Sequence, residues 1–243
     1  NSKTGDDFLL GGRNLPLFLT LGTTVATMVG TGSSMGAVGF AYSNGWAGMI
    51  YGLGGACGIL LLAKLFAPVR KHEFMTMSEE VSFYVGANPL VKNTIAIFIF
   101  VASIGWLGAH ILGGGMYLAW LTGLSPLSAK LFIALGFSIY VVIGGYVAVV
   151  WTDSIQALVL FIGFFLMAGV ALYQADGLVA INEAQPLLNQ SFLSLDKIGV
   201  VHGVSLFFAV LVGVLVAPSF RQRIYSGKHV KSIRQSFYLS GGL

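Results

Sequence analysis

Six mostly apolar stretches, each long enough to cross a bilayer, follow one another along this chain, and a seventh opens near residue 230. A spanning helix needs roughly 20 apolar residues, because each residue adds about 1.5 Å against a hydrocarbon core about 30 Å thick. The stretches lie near 15–42, 45–66, 93–122, 127–146, 148–174 and 198–220, with the seventh in 230–243. Only the Gly144-Gly145 pair parts the fourth from the fifth, so those two spans must be joined tightly. The pattern predicts an all-α, polytopic membrane protein forming a single transmembrane domain. In the polar gap 67–92, Thr76-Met77-Ser78-Glu79 is a capping-box pattern. It predicts a short surface helix from Met77 to Val85, read here as a connector.

The first stretch differs from the others. It carries Thr20, Thr23, Thr24, Thr27, Thr31, Ser33 and Ser34 among Gly22, Gly30, Gly32, Gly36 and Gly39. Lipid gives so many hydroxyls no partner. Val29-Gly30-Thr31-Gly32-Ser33-Ser34 is its weakest helical section, since each Gly costs about 1 kcal/mol relative to Ala. Two readings stand. The helix unwinds between Val29 and Ser34, so that freed carbonyls hold a cation. Or the small residues form a face for close helix packing.

Composition fixes the solvent: 56% of the 243 residues are hydrophobic and 9% are charged, where soluble domains carry about 25% charged residues. Such a chain has too little polar surface to face water. The 33 glycines suit closely packed membrane helices. The net charge of +4 sits in the gaps between apolar stretches, so it implies no nucleic-acid partner. Cys57 has no second cysteine to pair with. No paired His/Glu metal motif and no Ser/His/Asp arrangement lies within the stretches, so we expect neither an enzyme nor a resident cofactor. A channel is disfavoured, because no charged ring or filter-like repeat is visible.

The charges also orient the chain. Lys3, Arg13, Lys64, Arg70, Lys71, Lys92, Arg221, Arg223, Lys228, Lys231 and Arg234 fall on one side, and only Lys130 and Lys197 on the other. By the positive-inside rule the N-terminal stretch, the 67–92 loop and 221–234 are cytoplasmic, and 175–197 is outside. The expected location is the plasma (inner) membrane. The chain starts at Asn1 without an initiating Met or signal-peptide pattern and ends as an apolar stretch begins, so we expect a fragment.

Three isolated residues in the spans invite a function. Asp153 stands just inside the fifth, where a carboxylate costs up to about 2.5–3.5 kcal/mol at full depth. By position alone it reads as an interfacial cap. His110 follows Trp106 by four residues, on one helical face; it is a substrate contact or a His bonded to a neighbouring helix. Pro218 removes a backbone donor near the end of the sixth. It marks a break between Val212-Gly213 and Ser219, or a simple kink.

Four motifs together resemble the sodium:solute symporter family, which includes carriers for proline, pantothenate, sugars, sialic acid and choline. They are Asp7-Phe8-Leu9-Leu10-Gly11-Gly12-Arg13; the Gly/Ser/Thr-rich first stretch, closing with Met35-Gly36-Ala37-Val38-Gly39-Phe40-Ala41-Tyr42; Gly144-Gly145-Tyr146-Val147-Ala148-Val149-Val150-Trp151-Thr152-Asp153-Ser154-Ile155-Gln156; and Gln222-Arg223-Ile224-Tyr225-Ser226. The resemblance covers nearly the whole chain. It implies the LeuT-like inverted-repeat transporter fold, with core helices one to six and the start of seven present here. It further implies sodium-coupled symport of a small organic solute by alternating access, with sodium as the coupling ion and the bilayer as surroundings. By position, the first-helix sodium carbonyls fall on Ala26 and Val29, and Asp153 matches the fifth-helix Asp implicated in sodium coordination or release. The family's further sodium ligands, on the eighth core helix, lie beyond Leu243. Substrate contacts fall on Met28, Gly30, Ser33, Trp106 and Ala217, with His110 a turn from Trp106. Trp106 matches a Trp of choline-type carriers, but their first-helix Trp is Met28 here. The polar first- and sixth-helix positions of sugar carriers become Ser33 and Ala217, so neither substrate class follows. The alternative is a symporter-like sensory module of a signalling protein, which a histidine-kinase sequence after Leu243 would favour.

Overall fold

The computed structural model describes residues 4–243, and the side chains of all of these but residues 31–33. Lys3 and the Ser33 side chain therefore lie outside the described residues. Every named element is a helix; among the described residues the β contact is one isolated parallel bridge, Leu15 with Gly227.

The chain opens with α1 (Gly5–Leu10), which starts at a capping box. Thr4 Oγ1 accepts from Asp7 N–H and Asp7 Oδ2 accepts from Thr4 N–H, both at 3.2 Å. Then come α2 (Leu17–Met28) and α3 (Thr31–Asn44), parted at Val29, where φ is −97° and ψ 66°. The first apolar stretch is thus two helices. The interruption is confined to Val29 and Gly30, and helix resumes at Thr31, not after Ser34 as expected.

α4 (Met49–Leu65) returns to the polar gap. There α5 (Met77–Phe83) begins where Thr76 Oγ1 accepts from Glu79 N–H at 3.3 Å. It stops two residues short of Val85, since Gly86 and Ala87 turn the chain with positive φ. α6 (Pro89–Thr122) starts earlier than the apolar pattern does, because Asn88 caps it and Pro89 fits its first turn.

α7 (Pro126–Gln174) has 49 residues, or about 74 Å of helix, far more than one bilayer. Gly145, at φ 59° and ψ −160°, divides it into 126–144 and 146–174. A side chain there would be strained, and a Cβ would stand 3.0 Å from Phe8 Cδ2. The short α8 (Leu178–Glu183) and α9 (Leu195–Ile198) lead to α10 (Val200–Val216). Ala217 leaves the helix with ψ 124° before α11 (Pro218–Ser226), so this break is sharper than the expected one. α12 (Val230–Gly242) ends the chain.

By length and apolarity, three helical stretches of the described residues qualify as membrane spans: Ser34–His72, Pro89–Thr122 and Pro126–Gln174. A fourth is the pair Phe192–Ile198 and Val200–Val216, bent by 119°. That is fewer than the six complete segments expected, because α2 is cut short at Val29 and two segments merge in α7. The protein is a multi-pass, all-helical membrane protein.

Packing forms two clusters. The larger joins α4, α10, α11 and α12 through residues such as Ile59, Leu62, Val214, Ile224, Tyr225, Ile233 and Phe237, and also buries Leu10. The smaller holds Leu15 and Leu19 against Tyr146 and Val150. The loops sort to two ends. At one, Arg13 Nη1 donates to Phe74 O (3.0 Å), Arg70 Nε to Gly227 O (2.7 Å) and Gln222 Nε2 to Leu9 O (2.9 Å). At the other, Trp46 Nε1 donates to Asn182 Oδ1 (2.8 Å) and Lys197 Nζ to Ser43 O.

Candidate functional site: a broken first span beside a buried carboxylate

The hydroxyls of α2 divide by what they bond. Thr20, Thr24 and Thr27 return to carbonyls four residues back in their own helix, at Pro16, Thr20 and Thr23. A hydroxyl does this without any neighbour, so most of the polarity of the first stretch is locally satisfied. Thr23 alone of these reaches another helix, donating to Asp153 Oδ2 at 2.6 Å. Gly22 brings α2 this close: a Cβ on it would lie 2.5 Å from Ser154 Oγ and 2.7 Å from Ser154 Cα.

The same Asp153 Oδ2 receives Arg223 Nη2 at 3.3 Å. Asp153 thus links α2, the second half of α7, and α11. It stands eight residues past Gly145, about 12 Å along the helix, so it is not a cap, which belongs to the first turn. Arg223 is further fixed by Ser219 O at 2.9 Å and lies 5.9 Å from the Tyr146 ring centre. Tyr146 and Ser226 share a hydroxyl contact at 3.3 Å.

Above this carboxylate the α2 ladder stops. Val29 N–H to Val25 O, at 3.1 Å, is its last rung. The last four carbonyls of a helix have no rung of their own, and Ala26 and Val29 supply two of them. Gly30 O is taken by the next helix, accepting from Ser34 N–H at 2.9 Å and Ser34 Oγ at 2.5 Å. Carbonyl oxygens are hard donors suited to a small alkali cation. Among the described residues no group of three His, Cys, Asp or Glu is gathered for a metal.

The second break, at Ala217, borders the same interior. Met28 and Ala217 both pack against the larger core cluster. Met28 leans on Gly55, where a Cβ would fall 1.9 Å from Met28 Cε. Arg221 Nη2 satisfies one carbonyl released by this break, Leu215 O, at 3.2 Å. Trp106 and His110 meet edge-on with ring centres 6.1 Å apart. Trp106 is 64% exposed, so this pair is not sealed into the core that holds Met28 and Ala217.

Sequence reasoning missed an ion pair deeper than that of Asp153. Glu80, 1% exposed, bonds Arg221 Nη1 at 3.0 Å. It also accepts from Tyr84 OH at 3.2 Å and from Tyr225 OH. The Arg221 guanidinium lies 3.5 Å from the Phe66 ring centre. Burial raises the Tyr84 phenol above its ordinary pKa, and the Glu80 charge adds to this. The Arg221-Gln222-Arg223 triplet was visible in the sequence, but its acidic partners lie 141 and 70 residues away. Nothing in a single sequence pairs residues at that distance.

The sequence profile of the Sodium:solute symporter family matches residues 8–242. The chain is 26% identical over 184 residues to solute carrier family 5 member 4A of Mus musculus, covering 75% of this chain and 28% of that protein. It is 24% identical over 249 residues to the sodium/pantothenate symporter of Haemophilus influenzae, covering 98% of this chain and 51% of that protein. To the sodium/glucose cotransporter of Vibrio parahaemolyticus it is 28% identical over 178 residues, covering 70% and 31%. The chain therefore spans about half or less of the length of these curated relatives. A match reaching from Phe8 to Gly242, over helices broken at Val29 and Ala217, places this chain in the sodium:solute symporter family.

Proposed function

We propose that the protein couples sodium influx to the uptake of a small organic solute by alternating access. In this reading the chain supplies one transmembrane domain with core helices one to six and the start of seven of a LeuT-like inverted repeat. The end carrying Arg13, Arg70 and Arg221 is cytoplasmic. The observation that carries the reading is the pair of helix breaks, at Val29–Gly30 and at Ala217, bordering one interior. Broken helices of this kind build ion and substrate sites in secondary transporters. The Ala26 and Val29 carbonyls supply part of a sodium shell, and Asp153 lies below as a further anionic partner. Met28, Gly30, Ser33 and Ala217 then line the solute site, and Trp106 with His110 flanks its path. Relatives named for glucose and pantothenate point to a polar organic solute without choosing one.

Sodium moving through 100 mV contributes about 2.3 kcal/mol per charge to uphill uptake. The test is uptake by the full-length protein in proteoliposomes, screened over sugars, amino acids, carboxylates and quaternary amines. A sodium gradient should drive accumulation, and replacing sodium by potassium should abolish it. Asp153→Asn should raise the sodium concentration needed for half-maximal uptake. Uptake indifferent to sodium would overturn the reading; unaltered sodium dependence in Asp153→Asn would remove that residue from it.

A further inference from the structure

α12 has two unlike sides. Ile233, Ser236, Phe237 and Gly241 are buried against the core. Lys231, Arg234, Gln235 and Tyr238 recur at i, i+3, i+4 and i+7, which is one outward stripe, with the half-buried Val230 at its edge. This stripe and two residues of the loop after α4, Pro68 and Lys71, line an open cleft of about 450 Å³. Three of its seven lining residues are cations and none is an acid. Among the described residues no ion pair involves Lys71, Lys231 or Arg234, whereas Arg13, Arg70, Arg221 and Arg223 each have a carboxylate. Arg234 is nonetheless held in place, since its Nε donates to Ala63 O at 3.3 Å.

Close in sequence to the lining residues are further exposed apolar side chains: Leu65, at the end of α4, is 54% exposed and Leu239 50%, while Tyr238 of the cleft itself is 44% exposed. Tyr238 stands eight residues from Val230, about 12 Å along the helix. That rise carries the stripe from the outer headgroup surface to the inner edge of the interface, and Tyr is favoured within the interface. Unpaired cations at the helix start, a Tyr two turns on and exposed leucines close in sequence are complementary to an anionic amphiphile. A soluble anion would use the cations and leave the leucines idle.

We propose that the cleft between the α4–α5 loop and α12 binds the phosphate headgroup of an anionic phospholipid, with its acyl chains along Leu65 and Leu239. Lys71, Lys231 and Arg234 bind the phosphate, and Tyr238 sits at the glycerol level. The site does not depend on the transported solute or on sodium, so it stands or falls separately from the transport reading.

The experiment uses the full-length protein in nanodiscs of phosphatidylcholine with and without phosphatidylglycerol. Lipid retained after transfer to detergent is measured by native mass spectrometry. The wild type should retain phosphatidylglycerol in preference to phosphatidylcholine. Each juxtamembrane cation is worth roughly fivefold in affinity for an anionic lipid. The triple variant Lys71→Gln, Lys231→Gln, Arg234→Gln should therefore lose roughly a hundredfold of that preference. Phosphatidylcholine retention should not change. The charge-preserving set Lys71→Arg, Lys231→Arg, Arg234→Lys should keep the preference. If the triple variant does not fold, Lys231→Gln alone carries the test, with roughly a fivefold loss. Undiminished preference in the neutralised variants would overturn the proposal. So would an equal loss in Lys228→Gln, which changes a nearby cation outside the cleft. Displacement of phosphatidylglycerol by millimolar inorganic phosphate would assign the cleft to a free anion instead, and would also overturn it.

Discussion

Among single residues, Glu80 has the most to lose. Its carboxylate is the only acid bonded to Arg221 in the described structure, and both side chains are almost fully buried. Removing one member of a buried pair leaves the other charged and dry, at a cost of about 3–5 kcal/mol, whereas replacing both with apolar groups is often neutral. We expect Glu80→Ala to lower the thermal midpoint in detergent sharply, and Glu80→Met with Arg221→Met to recover much of the loss. A double variant as unstable as the single one would show that Phe66, Tyr84 and Tyr225 need the charges themselves. The sequence held half of this picture. It singled out Asp153 through the resemblance of the Gly144–Gln156 motif, but not Glu80, which lay in a helix read as a connector. Burial of a loop residue depends on what folds over it, and no periodicity within 77–83 records that.

Between elements, the contact of α2 with the second half of α7 is set by glycine. Gly22 lets Ser154 approach to where a Cβ would sit, and this closeness allows the 2.6 Å bond from Thr23 to Asp153. Gly22→Leu should therefore wedge the two helices apart, costing about 1–3 kcal/mol by overpacking. The same change should weaken the Thr23–Asp153 bond, so it should resemble Asp153→Asn in sodium dependence if that carboxylate serves the ion. A stable Gly22→Leu protein with wild-type uptake would refute both points. The first stretch shows a structural element of each reading: Gly22 packs closely on Ser154, and the helix is interrupted seven residues later at Val29. Composition could not separate them, because glycine serves both purposes and three of the four threonines in α2 bond only their own helix.

At the scale of the molecule, the division of loops between two ends was legible from charge alone. The structure gathers the N-terminal stretch, the 67–76 loop, the Gly145 turn and the α11–α12 turn at one end; the basic residues gave this grouping except for the Gly145 turn, which carries none. What charge could not give was how the end is fastened. Gly145 accepts Phe8 against its bare α-carbon, at a backbone conformation that favours glycine. Gly145→Val should cost about 1–3 kcal/mol through backbone strain. It should also release α1, seen as faster proteolytic cleavage before Leu15; unchanged cleavage would mean that α1 is held elsewhere.

The parallel bridge at Leu15 has a consequence for how this end can vary. Leu15 N–H donates to Ser226 O and Lys228 N–H donates to Leu15 O, both at 3.1 Å. These bonds belong to the main chain, so they are blind to the side chains that ride on them. Alanine at 228 leaves the knot tied, whereas Leu15→Ala would also hollow the packing of Leu15 on Tyr146 and Val150. Proline at 228 deletes the donor itself, and it should unfasten the start of the first span from the end of the sixth where Lys228→Ala does not.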